Sequence, residues 1–370
     1  MMQNEYVGFL YDTAGDNYAH VNDFVEFEFT LVSNDVGLCQ FVVLESNPVL
    51  DVISLDDEIR IKREDIETVI FTGLYRGYEK HATNNNGFVT LLFESLESIL
   101  QKQIVAYPND QAHSLGVFTD RTMAYIINIL VTYNCIPGND IERKTAIRDN
   151  RLDSVTIIDP GTAIYSLSLA WENVLTALQK LSAIEPFDFW VINDAPSGTR
   201  QFYARFPAGG WNRSLDGYNP LNTYPIVFSL ESGTITSFST ARYSIGEKTV
   251  AVIGGPGESS ARLVETRTGD NYDADRNFAE MFVDARSSGT ISAMQSAGES
   301  ALASARATEK TSFDTLIMSG KIPLYHYYLN DRITVEHNGE QLTRKITAIT
   351  MRVSSSGDSV SLETKEWSNT

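Results

Sequence analysis

One short strand pattern occurs twice in the chain, and it constrains the fold more than any other feature. The first copy is Leu55-Asp56-Asp57-Glu58-Ile59-Arg60-Ile61 and the second is Leu329-Asn330-Asp331-Arg332-Ile333-Thr334-Val335. The two are offset by 274 residues (329 − 55). Read with a period of two, Leu55, Asp57, Ile59 and Ile61 share one face, and Leu329, Asp331, Ile333 and Val335 share the matching face. Glu58, Arg60 and Lys62 fall opposite in the first copy, Arg332, Thr334 and Glu336 in the second. Each copy runs into a second strand-like stretch, Val69-Ile70-Phe71 or Ile346-Thr347-Ala348-Ile349. Each ends on a third, Val89-Thr90-Leu91 or Val360-Ser361-Leu362, where the offset has dropped to 271 (360 − 89). A turn precedes each last strand, at Asn84-Asn85-Asn86-Gly87 and Ser354-Ser355-Ser356-Gly357-Asp358. Any one of these matches can arise by chance between alternating strands. Three in the same order point to an internal duplication.

The chain of 370 residues is long enough for two or three domains. With 42% hydrophobic and 21% charged residues it has the balance of a folded globular protein. Its 48 acidic against 29 basic side chains give a net charge of −19. That argues against a surface built to grip nucleic acid phosphates, though not against one that lets nucleic acid slide past. The N-terminus has no basic segment followed by an apolar one, so no signal peptide is expected. No apolar run approaches the ~20 residues of a spanning helix, so no membrane anchor is expected. Cys39 and Cys135 form no CxxC pair and read as two buried thiols; whether they meet is left open by sequence.

Residues 6–103 read as β. Val25, Phe27, Phe29 and Leu31 make one apolar face, and mostly polar residues alternate with them, as in a strand with one face on a core. Another strand is predicted over 37–44. Short strands at this spacing suggest a barrel or a sandwich. Residues 107–223 change character. Asp120 is the predicted cap of a helix carrying Met123, Ile126, Ile127 and Leu130. A second helix is predicted across 169–184. Residues 187–192 and 200–206 read as a hairpin turning at Pro196-Ser197-Gly198. From Tyr224 β character returns at 226–228, 235–238 and 250–253. The Gly-rich stretch 254–275 reads as a loop or arm, and 278–310 as largely helical with Thr290 as a cap. Gly298 weakens that helix by about 1 kcal/mol relative to Ala.

The loop Gly254-Gly255-Pro256-Gly257 follows a strand but lacks the lysine and hydroxyl of a phosphate-binding loop and the spacing of a dinucleotide fingerprint. Pro256 also removes a backbone donor. Asp56, Asp57 and Glu58 alternate sides on a strand and do not converge on a metal. Asn271, Asp273 and Asp275 lack the glycine and closing glutamate of a calcium loop. His20, His81, His113, His326 and His337 are isolated, which argues against zinc. No nucleophile elbow is present. No catalytic, cofactor or metal site is expected, and the chain is not expected to be an enzyme. Trp171, Trp190, Trp211 and Trp367 read as core or interface aromatics, with a carbohydrate platform as the rival.

In the order of its features the chain resembles the baseplate or tail-tip hub proteins of long-tailed bacteriophages. The residues that carry the resemblance begin with the strand of Leu55, Asp57, Ile59 and Ile61, followed by Phe71-Thr72-Gly73. Next come Phe187-Asp188-Phe189-Trp190-Val191 at the end of the insertion, then Val252-Ile253-Gly254-Gly255. Met281-Phe282-Val283-Asp284-Ala285-Arg286 and the closing unit at 329–335 complete the series. The resemblance implies an α+β, β-dominated chain with two related tail-tube-like β-barrel domains and an inserted α+β domain. The expected division is a first barrel at 1–105, the insertion at 106–223, a second barrel from 224–256 and 313–370, and a loop and helix at 257–312. It implies a homotrimeric ring at the distal end of the tail of a virion assembled in the host cytoplasm. Such a ring joins the sixfold tube to the tip, and DNA passes through its lumen without specific binding. The implied partners are the tube or distal tail ring, the tape measure and a tip or spike. With little chain after the second copy, no C-terminal hydrolase or receptor-binding module is expected. The rival functions are a cell-wall hydrolase and a carbohydrate-binding tail protein.

Overall fold

The computed structural model describes residues 5–82, 87–106, 116–136, 152–169, 171–194, 199–207, 209–217, 224–286, 288, 290–318 and 320–367. The predicted turns at Asn84–Asn86 and Pro196–Gly198, and His113, lie outside them.

The chain opens with seven strands: β1 (Tyr6–Tyr11), β2 (Asn17–Val21), β3 (Glu26–Val32), β4 (Leu38–Leu44), β5 (Glu58–Arg63), β6 (Thr68–Ala82) and β7 (Gly87–Ser95). The middle holds α1 (Ser98–Gln101), β8 (Val117–Thr122), α2 (Met123–Cys135), β9 (Ser154–Ile158), β10 (Ile164–Ser168), α3 (Val174–Ile184), β11 (Asp188–Asp194) and β12 (Thr199–Arg205). Then follow β13 (Val227–Ser229), β14 (Ile235–Tyr243), β15 (Val250–Gly254), β16 (Val264–Thr268), β17 (Glu280–Asp284), α4 (Ile291–Ser304), β18 (Thr308–Thr315), β19 (Arg332–His337), β20 (Glu340–Ser354) and β21 (Gly357–Glu366).

Both strand groups belong to one 13-stranded sheet, ordered β14-β18-β21-β20-β3-β4-β7-β6-β5-β1-β2, with β19 beside β20 and β13 beside β19. Within it the same antiparallel meander is built twice, as β5-β6-β7 and as β19-β20-β21. β6 and β20 are both 15 residues long. Each carries a bulge at the matching place, between Tyr75 and Gly77 and between Ile346 and Ala348. A bulge bends and twists its strand, so both meanders curl in the same sense. β4 flanks β7 as β18 flanks β21, and β3 flanks β4 as β14 flanks β18. The copies differ at the far side, where β1 runs antiparallel to β5 but β13 runs parallel to β19. Among the described residues the sheet does not close on itself.

The pairing of β3 with β20 joins the two copies. Phe27 and Phe29 turn inward from β3 while Glu28 stays exposed, the alternation that period two requires. These rings share one core with Phe41, Ile59, Phe71, Phe228, Phe313, Ile333, Val335 and Val353, drawn from both copies. A second core forms around α2 and α3, and Leu74 of β6 reaches into it. A third, small core lies between α4 and the sheet β16-β15-β17.

Several boundaries differ from the sequence reading. Asp120 sits in β8 with a left-handed backbone, and α2 is capped instead by Thr122, whose hydroxyl accepts from Tyr125 N–H at 3.3 Å. The second helix starts after Asn173, whose side chain accepts from Thr176 N–H, so 169 and 171–173 are not helical. Thr290 caps α4 as expected. The stretch 254–275 is not simply a loop, because β16 makes a hairpin with β15. Residues 280–284 form a strand within the stretch 278–310 that reads as helix, and a second strand, 308–315, begins at its end. Gly298 has a packing reason: a Cβ there would meet Ile253 Cδ1 at 2.3 Å, so glycine lets α4 lie on β15.

Candidate functional site

The repeated unit is built around two buried aspartates, each following a residue in the left-handed region. Asp56 has φ 71° and Asn330 has φ 72°. Short polar side chains tolerate that conformation. Asp57 N–H donates to Ser54 O at 3.1 Å, and Asp331 N–H to Tyr328 O at 3.2 Å. The carboxylates close the same turn, Asp57 Oδ2 accepting from Ser54 N–H at 2.8 Å and Asp331 Oδ2 from Tyr328 N–H at 2.9 Å. Tyr75 N–H donates to Asp57 O at 2.8 Å, and Ile346 N–H to Asp331 O at 2.9 Å. In return Asp56 N–H donates to Tyr75 O and Asn330 N–H to Ile346 O. Each aspartate therefore locks the start of one strand to the bulge of the next.

Not every repeat-defining position lies on the strand. Leu55 and Asp57 precede β5, and Leu329 and Asp331 precede β19. Leu55 is 66% exposed, whereas Leu329 packs on the shared core. Ile59 and Ile61, with Ile333 and Val335, are fully buried in that core. The opposite face of β5 is also buried, because the inserted segment docks on it. Glu58 accepts from Arg60 Nε at 2.7 Å, Arg200 Nη2 at 2.9 Å and Asn193 Nδ2 at 2.8 Å, tying β5 to β11 and β12.

The second copy has its own polar joint to the insertion. Asp331 also accepts from Trp211 N–H at 2.7 Å and from Arg213 Nε at 2.7 Å. Burial pushes its carboxyl above the usual range, opposed by those amides and by Arg213. Lys345 on β20 pairs with Asp188 on β11, and both are almost fully buried. Burial lowers the ammonium pKa of Lys345, while the Asp188 carboxylate works against that. Asp188 also accepts from Gly209 N–H at 2.5 Å. The available sequence signal for this joint was Asp188, a lone charge among Phe187, Phe189, Trp190 and Val191; Lys345, beside Arg344, carried none.

A cleft of about 920 Å³ lies where the two copies and the insertion meet, with Tyr11, Arg60, Trp190, Trp211 and Tyr328 among its walls. The Arg60 guanidinium lies 3.9 Å from the centre of the Tyr11 ring. Trp190 stacks on Tyr203, and Trp211 is half exposed.

The outward face of the sheet carries the exposed Leu38 and Leu44 of β4, and its charged residues lean acidic. Glu26 and Glu28 on β3, Glu94 on β7, Asp314 on β18 and Glu363 on β21 share it with Arg352 and Lys310. Glu26 pairs with Arg352 at 2.7 Å and Glu363 with Lys310 at 2.5 Å. At such exposure these pairs contribute little stability.

The other motifs are structural. Arg262 donates to Gly254 O and Gly255 O, tying the glycine turn to the chain just before β16. Asp273 accepts from the N–H groups of Asp275 and Arg276 and so caps its own turn. Among the described residues no three acidic, histidine or cysteine side chains gather as a metal set. Cys39 and Cys135 are buried in different cores and form no disulfide with each other. No helix among the described residues is long and apolar enough to cross a membrane.

The profile of a family described as "Siphovirus ReqiPepy6 Gp37-like protein" matches residues 9–364. No curated protein sequence matches the chain. Among solved structures, the fold is similar to the 43 kDa tail protein of prophage MuSo2 from Shewanella oneidensis, with a TM-score of 0.60 and 11% identity over 98% of both chains. It is similar to a tail protein from Neisseria meningitidis MC58, with a TM-score of 0.60 and 12% identity over 98% of this chain and 96% of that one. Prophage tail protein gp18 from Listeria monocytogenes EGD-e gives a TM-score of 0.52 and 14% identity over 98% and 95%.

Proposed function

Because the chain belongs to the siphovirus ReqiPepy6 Gp37-like protein family, a structural place in a phage tail is the premise, and we propose that it forms a homotrimeric hub ring at the distal end. The observation that carries this reading is the double construction of the aspartate-locked meander within one sheet. A threefold ring docking on a sixfold tube faces a symmetry mismatch. Two pseudo-equivalent units per chain give six docking units from three chains and remove it. The proposed division is one tube-like barrel in 1–105, an insertion in 106–223, a second barrel in 224–256 and 313–370, and an accessory unit in 257–312. The small sheet containing β15 argues for moving that strand into the accessory unit. The acid-leaning sheet face lines the lumen, where a negative wall keeps DNA phosphates from sticking. The ring contacts the tube or distal ring on one side and the tape measure and tip on the other.

The role is non-enzymatic. Incubation with purified peptidoglycan is expected to release no fragments, and release would support the hydrolase reading. The cleft with Trp190 and Trp211 favours one second reading, a carbohydrate site. Glycan binding by the isolated chain, weakened by Trp211→Ala, would support it. Immunogold labelling of intact particles tests the hub reading: label is expected at the tail tip, and label along the tail or on the capsid would overturn it.

A further inference from the structure

Among the strand edges without a partner in the described residues are two for which the duplication says what is needed. Among the described residues β14 pairs only with β18, so its other edge is open along nine residues. β6 leaves β5 after Leu74, and beyond the bulge its second edge is unpaired among the described residues. Long open edges are a liability that folded proteins normally cover. The equivalents of these two edges do pair with each other in this chain: β14 corresponds to β3, β6 corresponds to β20, and β3 lies on β20.

We propose that the outer edge of β14 pairs antiparallel with the C-terminal half of β6 in a second copy of this chain, in the register that β3 takes on β20. This rests on the ring reading above and names the contact that closes it. The two copies of the meander meet inside the chain through β3 and β20. They meet between chains through β14 and β6, so six similar joints alternate around three chains.

The register follows from the internal equivalences. The bulges place Gly77 on Ala348 and Glu79 on Thr350. The ladders through β7 and β21 place buried Phe41 of β4 on buried Phe313 of β18. One strand further out, Phe27 of β3 falls on Phe238 of β14. In the internal joint Thr30 faces Thr350, with their hydroxyls 2.9 Å apart. Ser33 N–H donates to Thr347 O at 2.8 Å, which makes Thr30 and Thr350 a non-hydrogen-bonded pair with close side chains. Transferred to the edges, Ala241 faces Glu79, Arg242 faces Tyr78 and Tyr243 faces Gly77.

The side chains suit those positions. Tyr78 and Tyr243 are each 57% exposed in the single chain, and Arg242 is exposed as well. Arg242 can lie on the Tyr78 ring as a cation on a π face. A Cβ on Gly77 would meet nothing within 4 Å, so the space beside it is open to the Tyr243 ring. Covering a glycine with a cross-strand aromatic is a known device for stabilising an edge.

The test uses the full chain with Ala241→Cys and Glu79→Cys together, concentrated to hundreds of micromolar and oxidised mildly. Products are read on a non-reducing gel, and the mass of the unmodified chain is read by light scattering. Native Cys39 and Cys135 are buried thiols outside any disulfide, and the unsubstituted chain serves as their control. A covalent series ending at trimer is expected, with little product from Ala241→Cys with Lys80→Cys, whose side chains point to opposite faces. If the unmodified chain is trimeric and the Ala241–Glu79 pair fails to link, or links no better than the Lys80 control, the edge pairing is overturned and the ring stands. A ladder running past trimer upholds the pairing and overturns threefold closure. A monomeric mass at every concentration with no cross-link overturns both.

Discussion

The buried pair of Lys345 and Asp188 fastens the second meander to the insertion, and Lys345→Met tests it. Methionine keeps the length and apolar volume of the lysine stem but removes the charge. Asp188 is 2% exposed and Lys345 3% exposed, so the orphaned carboxylate has little access to water. Removing one partner of such a pair costs about 3–5 kcal/mol, because a buried charge is left uncompensated. That is a large share of the ~5–15 kcal/mol stability of a typical protein. Asp188→Asn in the same background removes the stranded charge and keeps an oxygen to accept from Gly209 N–H. The double variant is expected to recover about 2 kcal/mol or more of the loss. Urea unfolding followed by tryptophan fluorescence is the assay, since Trp190 lies on β11 and Trp211 N–H binds Asp331 beside this joint. A loss below about 1 kcal/mol for Lys345→Met, or a double variant no more stable than the single, would refute the reading that this pair holds the joint.

Asp331→Ala is expected to destabilise more than Asp57→Ala in the same urea assay, because beyond the shared turn Asp331 holds Trp211 N–H and the Arg213 guanidinium, whereas Asp57 holds only the Tyr18 hydroxyl. Gly298→Ala is expected to lower the thermal midpoint: the contact with Ile253 at 2.3 Å outweighs the ~1 kcal/mol gain in helix propensity. Burial raises the carboxyl pKa of Glu97, opposed by bonds from Ser95 and Val191 N–H. A raised acid binds its proton more tightly in the folded state, so its contribution is fully present below the unfolded pKa. It is lost as pH rises through the folded value. Glu97→Gln should therefore flatten the fall in stability above about pH 4.3, measured as urea midpoints across pH; an unchanged slope would refute that assignment.

The duplicated meander was legible because strand periodicity marks Ile59, Ile61, Ile333 and Val335 directly, and these residues do enter one core. Leu55 misled, because a two-residue period says nothing about where a strand begins. The informative signal was the pair Asp56 and Asn330, residue types that tolerate the left-handed backbone needed just before each aspartate. Burial of Glu58 and Arg60 could not be read from β5, since it depends on Asn193 and Arg200, far along the chain. For the same reason the single 13-stranded sheet was not visible: β3 and β20 carry no local mark of their pairing. β15 was legible at 250–253, whereas β16 was hidden by the glycine and polar residues around it and β17 by the helical reading of 278–310; Gly254 and Gly255 serve close packing by Arg262 and Met294 and not a flexible arm. Thr122 displaced Asp120 as a cap because β8 continues through Asp120 before the helix begins.

The trimeric hub is tested most directly by electron microscopy of intact tails, resolved well enough to place this fold. The expected map has three copies around a pore of duplex width on the tail axis, with six similar meanders facing the tube. Finding the chain as a peripheral fibre, off the axis, or in a copy number other than three would contradict it.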